Sequence, residues 1–342
     1  SDGKLALLWY PGVDDEPLEK GRRQMECVIH THGLTKSYGA VKALKSLDLR
    51  VHRNSIFGFL GPNGAGKTTA IKLLLGLIRP TSGTGEIFGL DIGRESVAIR
   101  DRIGYLPQEP RYYDHMTARQ TLRYAARFSF KGPKAEIEKR ISETLKLVGL
   151  ADKADRPVKG FSGGERQRLG IGQAQVHYPD LLILDEPAAS LDPIGRRDVL
   201  AVMERLRRHT TIFYCTHILD DVQRVSDTVA ILNQGQLVAQ GPVEELLAGG
   251  EGIAYRVTMK GDVESAYQRI SRQQWVRSIQ SRPRNGATIW TVGVTDDGAA
   301  QSLLLRLLLA DERLVVTGVG RREHELEDIF VSLVEGVQDD NR

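Results

Sequence analysis

Unbroken apolar runs alternate along this chain with stretches whose apolar residues fall three and four apart. Residues 55–60, 181–184 and 211–216 are apolar almost without a break. Such runs suit strands buried on both faces, because successive side chains leave a strand on opposite sides. Shorter runs predict strands from residue 27, at 45–51, 85–89, 103–108, 227–232 and 236–240. Helical spacing predicts helices over 69–77, 117–129, 134–149, 162–177 and 242–248, with another opening after Pro193. The glycine-bearing segments 33–39 and 80–85 read as turns.

Alternating strands and helices make the fold class α/β, with a main domain over 26–249. The helix pair 117–129 and 134–149 breaks the alternation, so a helical subdomain is expected at about 110–175. Gly249-Gly250-Glu251-Gly252 marks a boundary. Beyond it the pattern gives a strand at 253–259, a helix at 262–271, strands at 275–280 and 287–295, a helix at 297–309, a strand at 313–318 and a helix at 324–335. This βαββαβα order predicts a small ferredoxin-like α+β domain over 250–338. Residues 1–25, rich in turn and acidic residues, read as an N-terminal extension, and 339–342 as a frayed tail.

With 342 residues the chain has room for about two domains. Its net charge of +3 is too small to argue for nucleic acid as a partner, and none is expected. Cys27 and Cys215 share no spacing pattern, which argues for a reducing compartment and against a disulfide framework or a cysteine metal site. No segment reaches the roughly 18–20 apolar residues that span a bilayer. The run 303–309 is broken by Arg306 and reads as one face of an amphipathic helix. The first residues carry no signal-peptide pattern. A membrane role is therefore expected to come through a partner chain.

The candidate chemistry sits at the strand ends. Gly61-Pro62-Asn63-Gly64-Ala65-Gly66-Lys67-Thr68 has the form G-x-x-x-x-G-K-[ST], between a strand and a helix. Glycines permit close backbone approach to phosphate oxygens, and the helix start presents N–H groups and a positive dipole end. Lys67 is expected to reach the β- and γ-phosphates, and the Thr68 hydroxyl to ligate Mg2+. Leu181 to Leu184 ends in Asp185 and Glu186. Asp185 would hold the metal, and Glu186 would polarise an attacking water. His217 follows the strand at 211–216, where parallel sheets place ligands. Tyr38 offers a π-face for a base, and Gln108 closes the strand at 103–108.

With Ser162-Gly163-Gly164 ahead of Glu165-Arg166-Gln167, five motifs stand in an order that resembles the ATP-binding cassette (ABC) ATPases, over about residues 26–248. The resemblance implies a mixed core sheet, a helical subdomain and an antiparallel β subdomain. It implies ATP and Mg2+ as cofactors. ATP would be held by Tyr38, Gly61, Pro62, Asn63, Gly64, Ala65, Gly66, Lys67, Thr68 and Thr69. Thr68, Gln108 and Asp185 would serve the metal. Glu186, His217, Gln108 and Lys67 would serve catalysis. Ser162, Gly163, Gly164 and Glu165 look like the family signature, which reaches a partner's ATP. Ser190, Leu191 and Asp192 resemble the loop that communicates across the dimer. Glu165 stands where glutamine is commonest, and Phe161 where leucine is usual.

A single cassette per chain implies a homodimer, or a pair with a related cassette, on integral membrane permease subunits. The location implied is peripheral, at the cytoplasmic face of the cell membrane. The end of the chain, Glu323 to Leu333, resembles the appended domain of exporter ATPases whose permeases are separate chains. An importer ATPase, a soluble mechanoenzyme of DNA repair or translation, and a P-loop kinase or GTPase are the alternatives. Sugar importers often carry an all-β C-terminal barrel, which the helices expected at 262–271, 297–309 and 324–335 oppose. The chain has neither a sustained heptad run nor a second P-loop, and it lacks an Asn-Lys-x-Asp guanine-reading motif.

Overall fold

The computed structural model describes residues 27–130, 132–249, 253–284, 286–310, 313–322 and 330. The centre is a six-stranded sheet in the order Gln236–Pro242, Thr228–Asn233, Ile56–Leu60, Thr211–Thr216, Leu181–Asp185, Ile103–Leu106. Its neighbours run parallel except at the edge, where Gln236–Pro242 returns as a hairpin from Thr228–Asn233. The three central strands are buried at nearly every position, as their unbroken apolar runs require.

The period-two alternation divides these residues between two cores. Ile56, Leu60, Leu182, Leu184, Ile212 and Tyr214 face one side and meet the helical block. Phe57, Phe59, Leu181, Ile183, Phe213 and Cys215 face the other, against the helix Lys67–Leu74 and a second, antiparallel sheet. That second sheet contains Val41–Leu47, Cys27–Tyr38, Ser82–Ile87 and Leu90–Asp91, with Arg50–His52 paired to the long strand. The helical block consists of Ala118–Ser129, Lys134–Leu147 and Gly163–Gln175. Leu122, Ala126, Ile141, Leu145 and Leu169 join it to the first core.

A third sheet has the order Val276–Arg284, Ala287–Val294, Ile253–Gly261, Leu314–Arg322, all antiparallel. With Glu264–Ser271 and Asp297–Leu309 packed on it around Trp290, this is the ferredoxin-like arrangement expected from the element order. The helix expected over 324–335 lies outside the described residues except for Phe330. The extension 1–25, the tail 339–342 and most of the glycine boundary 249–252 also lie outside them.

Several expectations are corrected. Residues 33–39 are not a turn: Cys27–Tyr38 is one strand with irregular register near Leu34 and Lys36. The strand expected at 85–89 is Ser82–Ile87, three residues earlier. The two strands meet at Gly33 and Gly83, both left-handed, where a Cβ on Gly83 would lie 2.2 Å from the Gly33 carbonyl oxygen. Glycine here permits two strands to touch, so it marks a close approach and not a turn. The strand expected to end at Gln108 stops at Leu106. Residues 303–309 do lie in a helix, but its leucines are not confined to one face. Leu304 and Leu308 are buried, whereas Leu303, Leu305 and Leu309 are exposed. No helix among the described residues is long and apolar enough to cross a membrane.

Candidate functional site

The C-terminal ends of three adjacent parallel strands, Ile56–Leu60, Thr211–Thr216 and Leu181–Asp185, deliver Gly61, His217 and the pair Asp185-Glu186 to one edge of the sheet. The loop 61–66 turns over this edge into the helix Lys67–Leu74. Two of its glycines are required by the protein itself. A Cβ on Gly61 would lie 2.4 Å from the Leu232 carbonyl oxygen, and one on Gly66, where φ is +109°, 2.5 Å from that of Ala43. Gly64 has open space around it but a left-handed φ of +83°, so glycine suits its backbone and also leaves room for whatever enters the loop. No side chain caps the helix at Gly66, which leaves its first N–H groups for a ligand.

An open cavity of about 210 Å3 is lined by Ala43, Pro62, Asn63, Gly64, Gly66, Lys67, Thr68, Thr69, Gln108 and Glu186. Lys67 is only 6 % exposed, and its Nζ donates to the Gly61 carbonyl at 2.6 Å. The same ammonium is 3.3 Å from Glu186 Oε1. Glu186 Oε2 is 2.9 Å from His217 Nδ1, so each oxygen of this 5 % exposed carboxylate faces a nitrogen. The Glu186 backbone is left-handed, with φ +52°, and its N–H donates to the Cys215 carbonyl. That conformation turns the side chain from the strand end toward Lys67 and His217.

Asp185 is 3 % exposed and accepts a hydrogen bond from Thr68. Burial first, and the neighbouring Glu186 carboxylate second, push its carboxyl above the ordinary range, against the pull of Lys67. Thr68 and Asp185 supply hard oxygens side by side. Among the described residues no trio of His, Cys, Asp or Glu could hold a metal ion. This donor set suits Mg2+, which takes one or two protein oxygens when phosphates supply the rest.

Tyr38 is not in the cavity lining. It ends its strand beside the turn to Val41, 50 % exposed, with Lys36 Nζ 5.1 Å from its ring centroid. His217 borders a second cavity of about 290 Å3 with Leu60, Gly61, Pro62, Asn63, Leu219 and Phe330. Ser162, Gly163, Gly164, Glu165, Ser190, Leu191 and Asp192 are absent from both linings. They form a second group. Ser162 caps the helix Gly163–Gln175, and Asp192 caps Pro193–Leu206 by accepting from the Gly195 N–H. The two helix starts cross where Gly164 meets Gly195, and Leu191 lies over Gly163.

Glu165 has a function that its departure from the commonest residue concealed. Its carboxylate accepts from the Ser162 N–H at 2.8 Å while Ser162 Oγ accepts from the Glu165 N–H, and Lys153 pairs with it. The pattern Ser162-x-x-Glu165 is the sequence signal for this capping box. It narrows the anion-binding expectation at this helix, because a carboxylate already sits there and the Gly163 and Gly164 N–H groups are the ones left outside the cap.

The family described as ABC transporter matches residues 44–189. The chain is 42 % identical to the bacitracin transport ATP-binding protein BcrA of Bacillus licheniformis, covering 91 % of this chain and 99 % of that protein. It is 33 % identical to the daunorubicin resistance ATP-binding protein DrrA3 of Streptomyces coeruleorubidus, covering 90 % and 96 %. Among solved structures it resembles cbiO1 of Clostridium perfringens, part of the ABC transporter complex cbiONQ. That likeness has a TM-score of 0.61 and 28 % identity, over 65 % of this chain and 91 % of the other.

Proposed function

We propose that this chain, which belongs to the ATP-binding proteins of the ABC transporter family, drives an exporter by closing ATP and Mg2+ between two copies of itself. The observation that carries this reading is Glu186, held between Lys67 and His217 at the edge of a cavity to which the Ser162-Gly163-Gly164 turn contributes nothing. A second copy would bring that turn to the open side of the cavity.

In this reading the P-loop N–H groups and Lys67 hold the phosphates, and Tyr38 stacks on the adenine. Thr68, Asp185 and Gln108 would hold Mg2+, which when bound would offset the negative charge that develops in phosphoryl transfer. Glu186 takes a proton from water as the water oxygen bonds to the γ-phosphorus and the bond from that phosphorus to the bridging oxygen, which leaves with ADP, breaks. His217 orients the Glu186 carboxylate, and the partner's signature turn completes the charge around the transferred group. Ser190, Leu191 and Asp192 carry the state of one site to the other.

Three observations support the export assignment and its partners. The relatives named above are for bacitracin transport and daunorubicin resistance. The third sheet carries helices, unlike the all-β appendage of sugar importers. Tyr113, Tyr124 and Phe128 form an exposed edge-to-face group on the helical block, with ring centroids 5.9 and 5.0 Å apart. This patch would receive the cytoplasmic helices of a permease, which would hold the chain at the inner membrane surface. The cassette would occupy 26–249 and an accessory domain 250–338.

The test is Glu186→Gln. Turnover should fall by about 100-fold or more, and ATP should then hold the protein as a stable dimer by light scattering. Undiminished turnover would remove Glu186 from its role, and an ATP-bound monomer would remove the second copy.

A further inference from the structure

Ten residues after Glu186 and four after His217, the same two chain segments meet again. Arg196 Nε donates to Asp221 Oδ1 at 2.6 Å. The Asp221 side chain is 2 % exposed, while its neighbour Asp220, 3.9 Å from Arg196 Nη2, is 91 % exposed. Burial pushes the Asp221 carboxyl above the ordinary range, and the Arg196 hydrogen bond and charge oppose that rise. The Arg196 guanidinium is the charge partner that offsets part of the cost of burying this carboxyl.

The position of the pair gives it a meaning beyond stability. Arg196 lies in the first turn of Pro193–Leu206, where its N–H donates to the Asp192 carbonyl. Asp221 lies in the first turn of Leu219–Val225, which starts two residues after His217. The segment 186–196 is therefore fastened to 217–221 at both ends, by Glu186 with His217 and by Arg196 with Asp221. Between the fastenings lie Ser190, Leu191 and Asp192, with Ser190 in the left-handed region at φ +57°.

We infer that Arg196 and Asp221 are a positioning pair that holds the Ser190–Asp192 loop at a fixed offset from His217 and Glu186. Neither touches the cavity. The pair acts on catalysis by stopping the loop and the histidine from moving independently when a second copy presses on the loop. This inference rests on the reading of Glu186 and His217 given above.

The test compares Arg196→Gln with the doubly neutral Arg196→Met/Asp221→Leu, which leaves no buried charge without a partner. ADP binding by calorimetry reports the P-loop of the single chain, and thermal unfolding reports the fold. In whichever variant binds ADP as the wild type does, kcat should fall about 10- to 100-fold, the scale of a misplacement of about 1 Å, while KM for ATP stays within about two-fold. A kcat within about two-fold of wild type in such a variant overturns the inference. So does a kcat in the neutral pair that recovers together with the melting temperature, because the pair would then be structural only. Glu186→Gln measured alongside separates the two ideas: inactive Glu186→Gln with active Arg196 variants refutes the positioning pair alone, and active Glu186→Gln refutes the assignment of the base.

Discussion

Removing the Glu165 carboxylate tests whether the signature turn is held by charge. Its side chain is 10 % exposed and that of Lys153 35 %, so their attraction is partly screened. Glu165→Ala loses the acceptor for the Ser162 N–H, about 1 kcal/mol. It also loses a charge-assisted bond to Lys153 and a favourable charge at a helix start, together about 1–2 kcal/mol after screening. The sum is about 2–3 kcal/mol. Glu165→Gln can still accept from Ser162 and should lose only the charge part, about 1 kcal/mol.

Burial acts to raise the Glu165 carboxyl, but the Lys153 hydrogen bond, the Ser162 N–H and the charges of Lys153 and Arg156 outweigh it and hold it below its ordinary value. A lowered folded-state value gives stability that is complete above the ordinary carboxylate range. It is lost as pH falls through the lowered value. Urea unfolding of wild type and Glu165→Gln should therefore differ at about pH 7 and converge as pH falls through the lowered carboxyl value. Equal stability at neutral pH, or a difference that persists unchanged in acid, would refute the electrostatic account of the cap.

Gly61→Ala would bring a Cβ within 2.4 Å of the Leu232 carbonyl. It should cost about 1–3 kcal/mol of stability even without nucleotide, measured by thermal unfolding of the apo protein. Tyr38→Ala should weaken ATP by about 1–3 kcal/mol in calorimetry without changing the melting temperature, since the ring is half-exposed; unchanged affinity would exclude it as the base platform. Phe128 is 74 % exposed and meets Tyr124 edge to face at the rim of the aromatic patch. Phe128→Ser should leave basal turnover intact and reduce co-purification with the permease in detergent.

The central strands were readable because burial on both faces demands consecutive apolar residues, as in Leu181–Asp185. The P-loop and the Asp185-Glu186 tip were readable because each is contiguous in sequence. The Cys27–Tyr38 strand differs from the turn expected over 33–39 because Gly33, left-handed at φ +58°, sits at an irregularity inside a strand whose close neighbour, Gly83, is 50 residues away in the chain. The Ser162–Glu165 cap carries a local signal, Ser-x-x-Glu at a helix start, which the resemblance to the family signature masks. Arg196 and Asp221 carry none: they are 25 residues apart, and only folding gives the partner of an arginine in a helix with several.

The left-handed backbone at Glu186 also limits which inherited changes this position can absorb. Its amide is committed to Cys215 and its peptide is turned out of the strand, so the main chain cannot advance to compensate for a shorter residue. Aspartate keeps the acid but falls one methylene short of both nitrogens, whereas glutamine keeps the span and gives up the acid. A lineage that has lost turnover yet still needs the clamp should therefore drift toward the amide of equal length, and such a substitution in a paralogue would mark a subunit kept for gripping nucleotide after it ceased to split it.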